Sequence, residues 1–145
     1  MSSPFIDLAD ALAASLTGST FSLSPAVSRT NWPSYAVEDL ANAVIAVTPG
    51  SVDMTRTNRS LFEINYTLNV FVGRHVETDA DADAMFTLAE EVADAIRLHA
   101  WDDSGSWPTG SGSPVSATLT IDPDEALRDR NVWRGVITAT YKFFR

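Results

Sequence analysis

"FEINYTLNVFV", residues 62–72, is the most regular stretch of the sequence and indicates the fold class. Apolar and polar side chains alternate along it, which is the pattern of a half-buried β-strand. Strands that alternate so regularly belong mostly to antiparallel sheets, because parallel strands are usually covered on both faces. One face is formed by Phe62, Ile64, Tyr66, Leu68, Val70 and Val72, and the other by Glu63, Asn65, Thr67 and Asn69.

The C-terminal stretch "NVWRGVITATYKFFR", residues 131–145, repeats this alternation from Trp133 onward. Chain termini usually fray unless they are part of a sheet or a docked helix. A terminus with so strong a strand pattern is therefore predicted to be a principal strand that completes the core.

Three further segments are predicted as strands. Residues 115–121 alternate between apolar and polar side chains. Residues 40–47 are apolar, and we expect "TPGS" to end this strand and "VDMTRT" to form a second extended piece directly after it. Phe21, Leu23 and Val27 alternate with serines, but Pro25 restricts this segment to a sheet edge or a broken strand.

Two segments have helical periodicity. Ser3 and Pro4 provide a cap and a first helical residue, and Gly18 provides an end. The second helix lies within "ETDADADAMFTLAEEVADAIRLHAW", residues 77–101, where Thr78 and Asp81 resemble a capping box. The apolar stripe of this helix consists of Met85, Leu88, Ala89, Val92, Ala93 and Ile96.

The predicted order is therefore α-β-β-β-α-β-β, without a βαβαβ rhythm or an internal repeat. This order indicates an α+β fold with a mainly antiparallel sheet and two helices packed on one face. The length of the chain suits a single domain, residues 1–145. A flexible Gly/Ser/Pro loop is predicted at about 102–114. Phe71, Val136 and Phe144 fall on the otherwise polar face, where together they would suggest a contact surface.

Composition narrows the class of protein. Of 145 residues, 45% are hydrophobic and 20% charged, as in an ordinary globular domain, and no apolar run is long enough to span a bilayer. Without a signal-peptide pattern, we expect synthesis in the cytoplasm. A net charge of −9 disfavours nucleic-acid binding, so Arg128, Arg130 and Arg134 are interpreted as ion-pair partners of nearby acids.

Few residues of the sequence suggest a catalytic, metal or cofactor site. The chain has no cysteine and only two histidines, His75 and His99, which are better explained at element ends than as a catalytic pair. Asp79, Asp81, Asp83 and Glu90 match EF-hand ligand spacing, but Ala84 replaces the required glycine, so we interpret them as acids at a helix start. With no nucleophile elbow or phosphate loop either, we predict no catalytic, metal or cofactor site and no enzyme.

Four stretches, taken in order, resemble the tail terminator or tail-completion family of tailed-bacteriophage neck proteins. They are "VEDLANAVIAVTPGSVDMTRTNRS" (37–60), "FEINYTLNVFVGRHV" (62–76), "ADAMFTLAEEVADAIRLHAW" (82–101) and "IDPDEALRDRNVWRGVITATYKFFR" (121–145). No single motif is diagnostic, so the resemblance lies in the order in which these four stretches follow one another. The Gly/Ser loop at 102–114 departs from it.

The resemblance implies a virion subunit that forms a six-membered ring on the head-proximal end of the tail tube, stops tube polymerisation and joins head-completion proteins. DNA would pass through an acidic lumen without being gripped. A closed ring needs two different patches on each subunit. The arm "TPGSVDMTRTNRS", with Val52, Met54, Arg56 and Arg59, is our candidate for one patch, and a solvated hairpin tip is the alternative.

Two other classes of function remain open at this point. A head-closure or adaptor protein of the neck would share every feature used above. A small hydrolase or ligand-binding domain would need a polar pocket, of which the sequence gives no sign.

Overall fold

The structure is a computed structural model that describes residues 4–31, 42–98, 116–121 and 131–144. The helices and strands, in chain order, are α1 (Pro4–Thr17), β1 (Ala26–Arg29), β2 (Val44–Arg56), β3 (Phe62–His75), α2 (Asp79–Leu98), β4 (Ser116–Ile121) and β5 (Val132–Phe144). This order confirms the predicted α+β succession α-β-β-β-α-β-β. The predicted loop at 102–114, together with His99, Arg128 and Arg130, lies outside the described residues.

All five strands form one sheet, in the order β1-β2-β3-β5-β4. The strand that indicated the fold class, β3, is central and pairs antiparallel with both β2 and β5. The pairing of β3 with β5 runs from Glu63 opposite Phe144 to His75 opposite Val132. The C-terminal strand is therefore built into the sheet between β3 and β4.

The core lies on one face of the sheet. Along β3 the side chains of Ile64, Tyr66, Leu68, Val70 and Val72 are buried, as their alternation predicts. They form one apolar cluster with residues of both helices, including Leu12 of α1 and Leu88 of α2. Both helices thus cover the same face, because this is the face that removes the most apolar surface from water.

Local signals set the ends of the helices. Helix α1 begins at Pro4 and ends at Thr17, after which the Gly18 amide donates to the carbonyl of Ala14 at 3.1 Å. Before α2, the Thr78 hydroxyl accepts from the Asp81 amide at 3.2 Å, and the Asp81 carboxylate accepts from the Glu77 amide at 3.2 Å. The first bond caps a free amide of the first turn, and the second joins Asp81 to the backbone just before Thr78, so the pair resembles a capping box.

The prediction that "TPGS" ends a strand was wrong. Strand β2 continues from Val44 through this segment to Arg56, and its pairing with β3 shifts register between Pro49 and Ser51. Gly50 is the extra residue of a β-bulge, so proline and glycine here bend one strand instead of separating two. The first part of the predicted strand, residues 40 and 41, lies outside the described residues.

Strand β1 also has a feature that the sequence pattern did not predict. It begins directly after Pro25 and occupies a sheet edge, as expected, but it pairs parallel with β2, from Ala26 opposite Val44 to Arg29 opposite Val47. An ion pair of 2.7 Å between Arg29 and Asp10 joins β1 to α1. The sheet is therefore mainly, but not wholly, antiparallel.

Candidate subunit interface

Strands β2 and β3 form a long hairpin whose turn is well bonded. The Thr57 amide and hydroxyl both donate to the Leu61 carbonyl, at 3.0 and 2.9 Å. The Asn58 side chain accepts from the Ser60 amide at 2.9 Å, as in an Asx turn. Strand pairing reaches Arg56 opposite Phe62, so the hairpin is a paired ladder up to its turn.

The bulge decides which face of the hairpin each side chain occupies. Before it, Ile45 and Val47 lie opposite Val72 and Val70 on the core face. Because strand side chains alternate, one extra residue moves the following even-numbered positions onto that same face. Val52, Met54 and Arg56 accordingly lie opposite Tyr66, Ile64 and Phe62.

This continuation of the core face is exposed near the tip. Helix α1 contacts the sheet at Tyr66, on which Phe5 stacks with ring centroids 4.9 Å apart. Toward the tip, the exposed fractions are 37% for Val52, 59% for Met54 and 37% for Phe62. The Arg56 guanidinium lies over the Phe62 ring, 5.1 Å from its centroid. We call Val52, Met54, Arg56 and Phe62 the hairpin patch.

Of the predicted interface residues, the structure brings Val52, Met54 and Arg56 together on one face. Arg59 lies in the exposed turn beyond them. Phe62 belongs to the same patch, although its alternation with the polar residues of β3 is that of a core residue. Periodicity identifies a face of a strand but does not show how far the helices cover it.

The hairpin also has a free edge. Strand β1 pairs with β2 only from Val44 to Val47, so within the described residues no strand pairs with the outer edge of β2 beyond that point. Unpaired edges are places where another chain can add.

The sheet face opposite the helices is mostly polar along β3 and β5. Thr67 and Thr140 contact through their hydroxyls at 3.4 Å, the Thr138 hydroxyl donates to Asn69 at 3.3 Å, and Lys142 pairs with Glu63 at 2.7 Å. Small polar side chains that bond to one another make this part of the face polar.

The contact surface predicted from Phe71, Val136 and Phe144 does not form as one patch. Phe71 lies opposite Val136, and the Arg134 guanidinium lies 5.1 Å from the Phe71 ring centroid. The backbone of Phe144 lies opposite Glu63, eight residues away along β3, or about 26 Å at the usual strand rise.

Within the part of the chain that the structure describes, the residues considered as catalytic or metal-binding candidates are far apart or have structural roles. His75 ends β3, and Asp79, Asp81, Asp83 and Glu90 lie within α2, so they do not form a calcium loop. No group of three potential metal ligands occurs among the described residues. An open cleft of about 310 Å³ beside the end of α1 is lined between Leu16 and Pro25 by residues without ionisable side chains.

Comparison with known proteins adds no relative: no model of a protein family matches the chain, and no curated protein matches it. None of the described helices combines the length and the apolar character that crossing a membrane would require.

Proposed function

We propose that the chain is a structural protein of the neck of a tailed bacteriophage, a tail terminator whose copies form a ring on the head-proximal end of the tail tube. In that position the ring ends tube polymerisation and offers a surface to the head-completion protein. The subunit is made in the host cytoplasm and acts in the virion by shape, as a six-membered ring.

The observation that carries this proposal is the hairpin patch. It extends the core face beyond the helix contact at Tyr66 and leaves Val52, Met54 and Phe62 exposed on a rigid, paired ladder. Adjacent exposed apolar side chains on one surface are typical of protein contacts. Within this face, Arg56 supplies a cation in a chain whose net charge is −9.

Two further features support the proposal. The order of strands and helices is the one that the sequence predicted, so the stretches that resemble the tail terminator family belong to a folded α+β domain. The acidic composition suits a ring through which DNA slides, because a surface of negative charge repels phosphates and releases no counterions.

Electron microscopy of particles from a phage with a stop codon in this gene tests the proposal. Loss of a tail terminator is expected to give abnormally long tail tubes beside filled, unjoined heads, because nothing stops the addition of tube subunits. Heads that leak DNA beside tails of normal length would instead assign the chain to head closure. Normal virions would reject both functions.

A further inference from the structure

The exposed large apolar side chains of the described residues fall into two groups. Three belong to the hairpin patch. The other two are Phe86 of α2, with an exposed fraction of 41%, and Ile121 at the end of β4, with 37%. The second group therefore needs an explanation of its own.

Phe86 and Ile121 both lie near the beginning of β5, one packed on Trp133 and the other on the paired strand β4. The edge of Phe86 contacts Trp133, with ring centroids 5.2 Å apart and planes at 70°. Ile121 lies opposite Gly135, and the Trp133 ring lies so close over Gly135 that an added Cβ would come within 2.9 Å of it. Trp133 is buried and gives Phe86 a fixed packing partner, and strand pairing fixes the position of Ile121.

Acidic side chains border this second group. Asp79, Asp83, Phe86 and Glu90 follow one another along α2 at intervals of four, three and four residues, so they share one face of the helix. All four are exposed. We call Phe86, Ile121, Asp83 and Glu90 the α2 patch.

The two patches are complementary in charge. The hairpin patch carries Arg56, with Arg59 at the turn, whereas the two acids of the hairpin lie on the other face of the ladder, Asp53 opposite Asn65 and Glu63 opposite Thr55. The ionisable side chains of the α2 patch, Asp83 and Glu90, are both acids, and Arg74 lies next to Trp133 on the neighbouring strand. An interface between these patches would have an apolar core and, at its rim, opposite charges on the two surfaces. Opposite charges at the rim disfavour pairing with the wrong surface.

A chain cannot join its own two patches. Trp133 lies opposite Arg74, and Phe62 lies twelve residues away along β3, so the patches are about 40 Å apart at the usual strand rise. Contact between them requires a second copy. Such a contact is heterologous, and repetition of it gives a ring whenever the rotation between copies closes.

We propose that the hairpin patch of one copy docks on the α2 patch of the next copy. The proposal rests on the proposed function, since it identifies the two surfaces from which the ring is built. Met54 and Phe62 of one subunit then cover Phe86 and Ile121 of its neighbour, and Arg56 faces Asp83 or Glu90.

The absence of native cysteine permits a direct test by disulfide cross-linking of the full chain. Met54→Cys protein is mixed with Asp83→Cys protein that carries a tag of different mass, and the mixture is oxidised. A covalent product that contains one copy of each is expected. The matched control replaces Asp83→Cys with Thr118→Cys, an exposed position on β4 whose register places it on the polar face, and should give no such product.

Exchanging the charges of the two patches provides a second test of the docking arrangement. Arg56→Glu in the Met54→Cys chain should lower the yield of the mixed product roughly tenfold, because it places like charges together. Glu90→Arg in the Asp83→Cys chain should restore much of that yield. Circular dichroism of each variant shows that the fold is retained.

Three results would overturn the inference: no mixed product, an equal yield with Thr118→Cys, or cross-linking of Met54→Cys only to itself, which indicates a symmetric contact. Its failure is distinct from failure of the proposed function. Abnormal tails without the mixed product would reject only the docking arrangement, whereas a mixed product together with normal virions would reject only the neck function.

Discussion

Leu68→Ala is expected to lower the free energy of unfolding by about 2–5 kcal/mol, because it removes buried methyl groups and leaves a cavity. Leu68 has no exposed surface and lies at the middle of β3, opposite Pro49 on one side and Ala139 on the other. Strands on both sides constrain the site, so it has little freedom to collapse. Urea unfolding followed by circular dichroism measures the change.

Thr118→Ala is the matched control for Leu68→Ala, since Thr118 is exposed on the edge strand β4. Its effect should remain within about 0.5 kcal/mol, as is usual for surface positions. Because small domains are stable by only about 5–15 kcal/mol, the Leu68 variant should lose a large fraction of its stability and unfold at a clearly lower urea concentration. Equal midpoints for the two variants would show that β3 is not the centre of the core.

Gly50→Ala is expected to destabilise the chain by about 1–3 kcal/mol, the usual cost of forcing atoms into a packed position. A Cβ at Gly50 would lie 2.6 Å from the Thr67 carbonyl oxygen and 3.1 Å from the Asn69 side-chain nitrogen. The first of these neighbours is backbone within the ladder, so relief requires β2 to move. The same unfolding experiment measures the cost.

Gly18→Ala is the matched control for the bulge. There the new Cβ would meet nothing closer than 3.7 Å, so the substitution should be neutral or slightly stabilising. If Gly50→Ala were as stable as Gly18→Ala, the bulge would not need glycine. If β2 instead paired without its bulge, Val52 and Met54 would turn to the opposite face, and cross-linking through Met54→Cys would be lost.

The sequence predicted those parts of the fold that depend on local periodicity. The alternation in residues 62–72 and from Trp133 onward predicted the long paired strands β3 and β5. The helical stripe around Leu88 predicted α2. In each case one face is buried along most of the element, so the period of the side chains reports the fold directly.

Features that depend on pairing between distant residues could not be predicted in the same way. The segment "TPGS" has the composition of a turn, and only the partner strand β3 shows that Gly50 is a bulge within a continuous ladder. The parallel pairing of β1 depends likewise on its neighbour β2 and not on its own four residues.

The candidate interface was predicted in part for the same reason. Val52, Met54 and Arg56 were identified from their place in an extended, arginine-bearing arm, and the structure puts them on one exposed face. The α2 patch was missed, because Phe86 and Ile121 are 35 positions apart in sequence and are related only through β5, by the contact of Phe86 with Trp133 and the pairing of Ile121 with Gly135.

The measurement that tests the central claim most directly is tail-tube length in a phage that lacks this gene and is complemented with Met54→Asp protein. Met54 is mostly exposed, so the variant should fold normally while a charge in the hairpin patch prevents assembly. The account predicts overlong tubes and unjoined heads, as without any complementing protein, and normal virions with Thr118→Asp. Normal tube lengths with Met54→Asp would contradict the claim that this chain works by assembling through its hairpin.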